Sequence, residues 1–323
     1  MGSGVHRYLC LCACLILPAC AGEQSALAPF GAGADRILGL TWVLAIGAVI
    51  IFACVALLTV HAMRQPEHGL THDQGMRVVL WLGAVLPAVL LGILLLFALP
   101  AMRPMATAPG DLKIAVDGRQ FWWHVTYQAG ETPPLASANE IRLPAGRTVL
   151  FELTAKDVLH SFWIPGLAGK MDMLPGRTNR LVVKADTPGT YRGVCAEFCG
   201  LSHALMAFDV VVMPAPDFDR WLAARRAALA PASSPGLASF DRHGCRSCHG
   251  LSAGDPPGSI GPSLAGLGSR RSLAAGVLPM TEDALAGFIR DPAATKPGAR
   301  MPSAPDMTDE DARLIARALM ELR

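Results

Sequence analysis

The first hundred residues alternate long apolar runs with short polar interruptions. A weakly positive start (His6, Arg7) leads into an apolar stretch from Tyr8 to Leu17 and small residues through Ala21. That is the layout of a secretory signal peptide, assigned to 1–19. Leu17-Pro18-Ala19-Cys20 has the form of a bacterial lipobox with Cys20 as the lipidated first mature residue, and cleavage after Ala21 is the competing reading. Two further runs, Leu38 to Ala62 and Val78 to Leu99, contain no Asp, Glu, Lys or Arg. Each is long enough to cross a bilayer core, which takes roughly 20 apolar residues. Trp42 and Trp81 sit near their ends, where interfacial anchors belong. The pattern predicts a transmembrane hairpin over 38–99. Its Met63–Arg77 loop then faces the cytoplasm, and everything beyond Leu99 is exported. The expected location is the bacterial inner membrane, crossed twice, with the soluble domains on the periplasmic side.

From residue 108 the period shortens. Ile141 to Leu143, Thr148 to Leu153, Arg180 to Val183 and Phe208 to Val212 are short apolar or alternating runs. Turns at Pro144-Ala145-Gly146, Pro175-Gly176 and Pro188-Gly189 punctuate them. Such spacing predicts a β-sandwich over 108–213. Pro214 and Pro216 close it, and 214–235 reads as a helix (Asp217 to Ala230) followed by a Pro/Ser linker. The last stretch, 236–323, reads as helical. Thr281 and Thr308 are its candidate N-caps, and Leu314, Ile315, Ala318, Leu319 and Leu322 recur at helical spacing.

Charge changes this picture little. With 28 Lys and Arg against 26 Asp and Glu, the chain lacks the basic footprint of a nucleic-acid binder. Both 108–213 and 236–323 carry ten residues of each sign, so neither segment steers a partner by net charge. The nine cysteines say more. Cys10, Cys12, Cys14, Cys20 and Cys54 lie in the apolar segments. Cys195 with Cys199, and Cys245 with Cys248, form two close pairs, which read as ligand or attachment sites rather than as a disulfide framework.

Cys195-Ala-Glu-Phe-Cys199-Gly-Leu-Ser-His203-Ala-Leu-Met206 places two thiolates, an imidazole and a thioether in one loop. A mononuclear blue-copper site uses one Cys, two His and a weak axial Met. Two cysteines four apart can instead bridge two copper ions, each with one terminal imidazole. His203 supplies one imidazole. His160 is the best candidate for the other, because it follows a strand, and His124 competes from an aromatic strand. Met206 and the Glu197 carbonyl complete the weak axial positions. Zinc would leave Met206 without a role, and a Cys195–Cys199 disulfide is the other alternative.

Cys245-Arg-Ser-Cys248-His249 is the motif that attaches haem through two thioethers, with His249 as proximal ligand. Neither a βαβ context nor a second Cys/His pair supports a thioredoxin-like or zinc-knuckle reading. The distal ligand comes from downstream. Met301, ahead of the last helix, is favoured over Met280, Met307 and Met320, and a Met/His pair raises the reduction potential.

These motifs carry a resemblance. From the hairpin through Val212 the chain resembles the CuA domain of cytochrome c oxidase subunit II, through Asp157-Val-Leu-His160-Ser-Phe162, the Cys195–Met206 loop and Lys170, Asp172, Pro175-Gly176-Arg177 and Asn179. The segment from Gly236 resembles a class I cytochrome c, with Gly261-Pro262-Ser263-Leu264 similar to the loop whose proline packs beside the proximal histidine. Together they resemble subunit II of the caa-type oxidases. The resemblance implies a multidomain membrane protein with a cupredoxin sandwich holding a binuclear copper centre and an all-α domain holding covalent haem c. It implies a partner subunit I that reduces oxygen coupled to proton translocation, and a subunit III. It also implies an external donor (a soluble or membrane cytochrome or a bc complex), and a magnesium ion on the Glu197 side chain at the subunit I border. A subunit of a CuA-containing nitric oxide reductase and a free-standing membrane-anchored carrier are the alternatives. In Gly118-Arg-Gln-Phe121-Trp122-Trp123, Phe121 stands where the family carries the Trp that receives the electron, with Trp122 beside it and Trp123 reading as core. The tether between the domains is expected to compensate for that loss.

Overall fold

The computed structural model describes residues 22, 24–64, 69–102, 112–128, 132–228, 233–252 and 260–323. The signal segment and Cys20 lie outside the described residues. Two compact units emerge, one being the helical stretch 35–105 and the other the remainder.

In the helical unit, α1 runs Ala32–Arg64 and α2 runs His72–Leu80. A π turn, Trp81–Val85, joins α2 to α3, Leu86–Ala101. The turn accommodates Pro87, which has no N–H to donate: the Leu86 N–H just before it reaches back five residues to Trp81 O. A capping box, Thr71 with Gln74, starts α2 two residues after the described chain resumes at 69, placing the helix start earlier than the apolar run implies. Apolar side chains such as Phe52, Leu57, Leu91 and Leu96 are exposed, and both helical stretches are long and apolar enough to cross a membrane. The hydroxyls of Thr41 and Thr59 donate to carbonyls one turn back, so neither is left unpaired on the apolar surface.

The second unit begins with a sandwich of two five-stranded sheets. β1 (Leu112–Arg119), β2 (Trp122–Gln128), β3 (Leu135–Ala138), β5 (Thr148–Ala155) and β8 (Asn179–Lys184) form one sheet in the order β3-β2-β1-β5-β8. β4 (Glu140–Pro144), β6 (His160–Trp163), β7 (Met171–Met173), β9 (Gly189–Cys195) and β10 (Ala207–Met213) form the other, in the order β4-β10-β9-β6-β7. The β1–β5 and β4–β10 pairs are parallel and the rest antiparallel. Strict alternation in β5 turns Val149, Phe151, Leu153 and Ala155 inward. Trp123 is fully buried as core, edge-on to both Phe162 and Phe208.

Helix α4 spans Ala215–Ala227, starting two residues before the expected start, because a proline (Pro216) is tolerated in a first turn. Its Phe218 and Leu222 join the sandwich core, so this helix packs on the sandwich as well as linking it onward. The expected linker also ends early: Pro235 and Gly236 open α5, Pro235–Arg242, capped by Ser234. A Cβ on Gly236 would collide with the Leu314 carbonyl of α8, so only glycine permits this crossing. α6 (Glu282–Arg290), α7 (Pro292–Thr295) and α8 (Asp309–Met320) complete the helices, with Thr281 and Thr308 as caps. A small β11–β12 ribbon (Ser272–Leu273 with Leu278–Pro279) interrupts them, which the expectation of a purely helical segment omitted. Leu237, Phe240, Leu285, Ile289, Ile315 and Leu319 form their core.

Candidate functional site

The copper-type donors meet at one end of the second sheet. β6 starts at His160, β9 ends at Cys195, and register pairs Phe162 with Cys195, which brings the histidine strand to the cysteine loop. The loop then turns through a short 3-10 segment, His203–Leu205, into β10. Cys195 Sγ lies 3.8 Å from both His160 Nδ1 and Cys199 Sγ. Cys199 Sγ lies 3.7 Å from His203 Nδ1 and 3.8 Å from Met206 Sδ. The Glu197 carbonyl stands 3.2 Å from Cys195 Sγ. The sulfurs are too far apart for a disulfide bond of about 2.05 Å, and closer than two metal–thiolate bonds of about 2.3 Å laid end to end. His160, Cys195 and Cys199 form a metal-type cluster by themselves, with His203 and Met206 reaching it through Cys199. His124 instead sits in mid-strand opposite Ala138, 3.3 Å from the Thr126 hydroxyl.

Polar groups around the cluster fix its donors. His160 Nε2 donates to Asp157 Oδ1 at 2.9 Å, which leaves Nδ1 facing Cys195. Burial pushes the Asp157 carboxyl up, but hydrogen bonds from the Gln120 N–H, His160 and the Val158 N–H outweigh it and hold it below the usual carboxylate range. Burial likewise opposes charge on His160, yet Cys195 and Asp157 together raise its pKa. The hydrogen bond between Cys195 and Cys199 pulls the Cys195 thiol down against the opposing effect of burial, and pushes the Cys199 thiol up. His160, Cys195, Cys199 and Met206 are buried and His203 is half-buried, so the donor set is soft and largely shielded from water, which fits copper better than a hard cation. The Glu197 side chain points toward Lys170, whose Nζ is 3.9 Å away.

The second motif sits on a turn that follows α5. Gly244 adopts φ +71°, and Cys245–Ser247 form one 3-10 turn. Cys245 and Cys248 are free and half-buried. His249 Nδ1 donates to Pro262 O at 2.8 Å, leaving Nε2 as the acceptor nitrogen. Burial lowers the His249 pKa, favouring the neutral imidazole that ligates metal. A Cβ on Gly261 would fall 2.7 Å from His249 Cε1, so the ring is clamped between a glycine backbone and a proline carbonyl. These residues fit a covalent haem. Met307 is buried in the helical core and Met280 and Met320 pack against it, whereas Met301 is half-buried on the segment between α7 and α8.

Sequence reading passed over the groups that join the two sites. Lys296 is buried, and its ammonium donates to Phe121 O at 2.5 Å and Ala274 O at 3.0 Å. Burial lowers its pKa to about 7, against a smaller pull from Cys199. The fully buried Ser202 hydroxyl donates to Pro297 O at 2.8 Å. Phe121 itself is only 5% exposed, and Trp122 is half-buried under the Arg119 guanidinium. No spacing signal marks Lys296 or Ser202, because the partners that matter, Phe121 O and Pro297 O, lie in the other domain.

Comparison with known proteins finds relatives of both domains. Residues 124–213 match the family described as cytochrome c oxidase subunit II, periplasmic domain, and residues 233–322 match cytochrome c. A cytochrome c oxidase subunit 2 of Alkalihalophilus pseudofirmus is 32% identical over 96% of this chain and 94% of its own length. The Bacillus subtilis protein of that name is 29% identical over 76% of this chain and 72% of its own. Among solved structures, the periplasmic domain of subunit II of cytochrome oxidase from Bradyrhizobium japonicum is 27% identical, covering 37% of this chain and 96% of that one at a TM-score of 0.34. With a relative matched almost end to end, and both domain families found in order, the chain belongs to the cytochrome c oxidase subunit 2 family, in the form that carries a C-terminal cytochrome c domain.

Proposed function

We propose that this chain takes in electrons at a covalent haem c and delivers them, through a binuclear copper centre, to subunit I of a haem-copper oxidase, where oxygen is reduced to water coupled to proton translocation. The gathering of Cys195, Cys199, His160, His203 and Met206 within hydrogen-bond-scale distances carries this reading. Copper at that cluster and iron at His249 supply one-electron chemistry.

The chain's own residues hold, orient and dry those positions. Cys195, Cys199, His160 and His203 would hold the copper, with Met206 and the Glu197 carbonyl as weaker donors. Asp157 fixes the His160 tautomer. Cys245 and Cys248 would take the thioether bonds of the haem, and His249 and Met301 would hold its iron. Phe121 and Trp122 line the side from which electrons arrive. The Glu197 side chain is the candidate magnesium ligand at the subunit I border. The helices α1 and α2–α3 span the bacterial inner membrane as a hairpin with both soluble domains periplasmic, Cys20 lipidation adding a second anchor. Subunit III and an external cytochrome or bc complex complete the assembly. The names of the relatives favour an oxidase over a nitric oxide reductase.

Purification from membranes with metal analysis, optical spectra and oxygen-consumption assays tests this. The expected preparation holds two copper ions and one covalent haem c per chain and co-purifies with a multi-span haem protein. Zinc or no metal at the cysteine pair, in protein matured normally, overturns it.

A further inference from the structure

We infer that Lys296 is a positioning residue that holds the haem-type domain shut over the copper loop, making this face an internal junction and not a docking surface for a soluble donor. Three observations converge on it. The Lys296 ammonium bridges a carbonyl of the sandwich (Phe121) and a carbonyl of its own domain (Ala274), in a place from which water is nearly excluded. The backbone that follows lies on the copper loop: Ser202 donates to Pro297 O, and a Cβ on Gly298 would stand 3.3 Å from Leu201 and 3.4 Å from the Phe121 ring. Next along the chain, the Arg300 guanidinium lies 3.7 Å from Asp157, the carboxylate that orients His160.

The junction extends beyond the lysine. The Ala207 N–H donates to Ala275 O at 3.1 Å, the Arg271 N–H to Glu140 Oε2 at 2.8 Å, and Arg142 and Arg192 donate to Ser269 O and Gly276 O. Ser272 and Asp209 pair across it as well. Lys296 differs from the buried Arg270, which donates to Ser263 O and Ala265 O of its own domain, because its amine reaches carbonyls of both domains. Without it the buried Phe121 carbonyl and the half-buried Ala274 carbonyl lose this donor, a loss large enough to shift the docked equilibrium about tenfold. The same contact explains why Phe121 tolerates the absence of an indole: its ring faces this chain's own backbone. The inference rests on the donor–acceptor reading above for its meaning, while the junction itself is testable without metal.

Two experiments on the full chain test it. In the unsubstituted protein, acetylation by an amine-reactive reagent should reach Lys296 at least about tenfold more slowly than the exposed Lys113 and Lys170; equal reactivity overturns the inference. In Lys296→Met, hydrogen exchange at the Ala207 and Arg271 amides should accelerate about tenfold in metal-free and loaded protein alike. In the loaded enzyme, Lys296→Met should raise direct reduction of copper by a soluble cytochrome about tenfold. Unchanged exchange in a Lys296→Met chain with native haem and copper spectra overturns the inference. Absence of copper or haem from the native protein instead defeats the functional reading and leaves the labelling and exchange results to judge the junction.

Discussion

At the residue scale, the short loop was legible because its donors are bound to one another by chain length. Cys195, Cys199, His203 and Met206 cannot separate far, so spacing alone restricts them to one cluster. His160 was different. It competed with His124 because sequence does not give strand register, and only the Phe162–Cys195 pairing decides which imidazole reaches the sulfurs. Asp157 is the residue whose role the structure defines most clearly, since it accepts from His160 Nε2 and from two backbone N–H groups. Asp157→Asn should weaken copper retention about 10- to 100-fold, the usual effect of removing a partner that orients a ligand. Equilibrium competition with a copper chelator measures this, and the haem absorbance should stay native. Retention equal to the parent protein would remove Asp157 from the site's design.

At the element scale, the helix caps at Thr281 and Thr308 were readable from local chemistry, and both accept the expected backbone N–H. The start of α5 was not, because Pro235-Gly236 reads as linker until the close crossing with α8 is known. Asp311 ties these two helices together. The Ser239 hydroxyl and the Thr308 hydroxyl donate to it and, with Arg242 and His243 nearby, hold its carboxyl below the usual range. A depressed folded-state value stabilises the fold above the unfolded carboxyl value of about 3.9, and that contribution disappears as pH falls through the lowered value. Asp311→Asn should therefore be less stable at neutral pH and lose less on acidification. Thermal unfolding followed at the haem band, from neutral pH down into the acid range, distinguishes the two proteins; parallel acid limbs would refute the argument.

At the scale of the whole molecule, the balanced charge of both soluble segments pointed to a tether in place of electrostatic steering. The structure adds a docked face to that tether, held by hydrogen bonds to backbone carbonyls, those of the buried Lys296 among them. Contacts of this kind are screened little by salt. Transfer between the two centres, followed by flash photolysis, should stay constant when ionic strength rises from about 0.01 to about 0.15 M, a change that shortens the screening length from about 30 to about 8 Å. A rate that falls steeply with salt would mean that the domains meet by diffusion and charge attraction.

Sequence by itself determined the chemistry: soft donors at fixed short spacing, a haem-attachment motif and two apolar runs, each a property of neighbouring residues that the covalent chain holds together. Tertiary structure alone decided which distant histidine joins the cysteines, that α4 belongs to the sandwich core, and that Lys296 of the second domain reaches the Phe121 carbonyl. Those outcomes depend on register, packing and desolvation, which arise only when segments far apart in the chain exclude water from the same place.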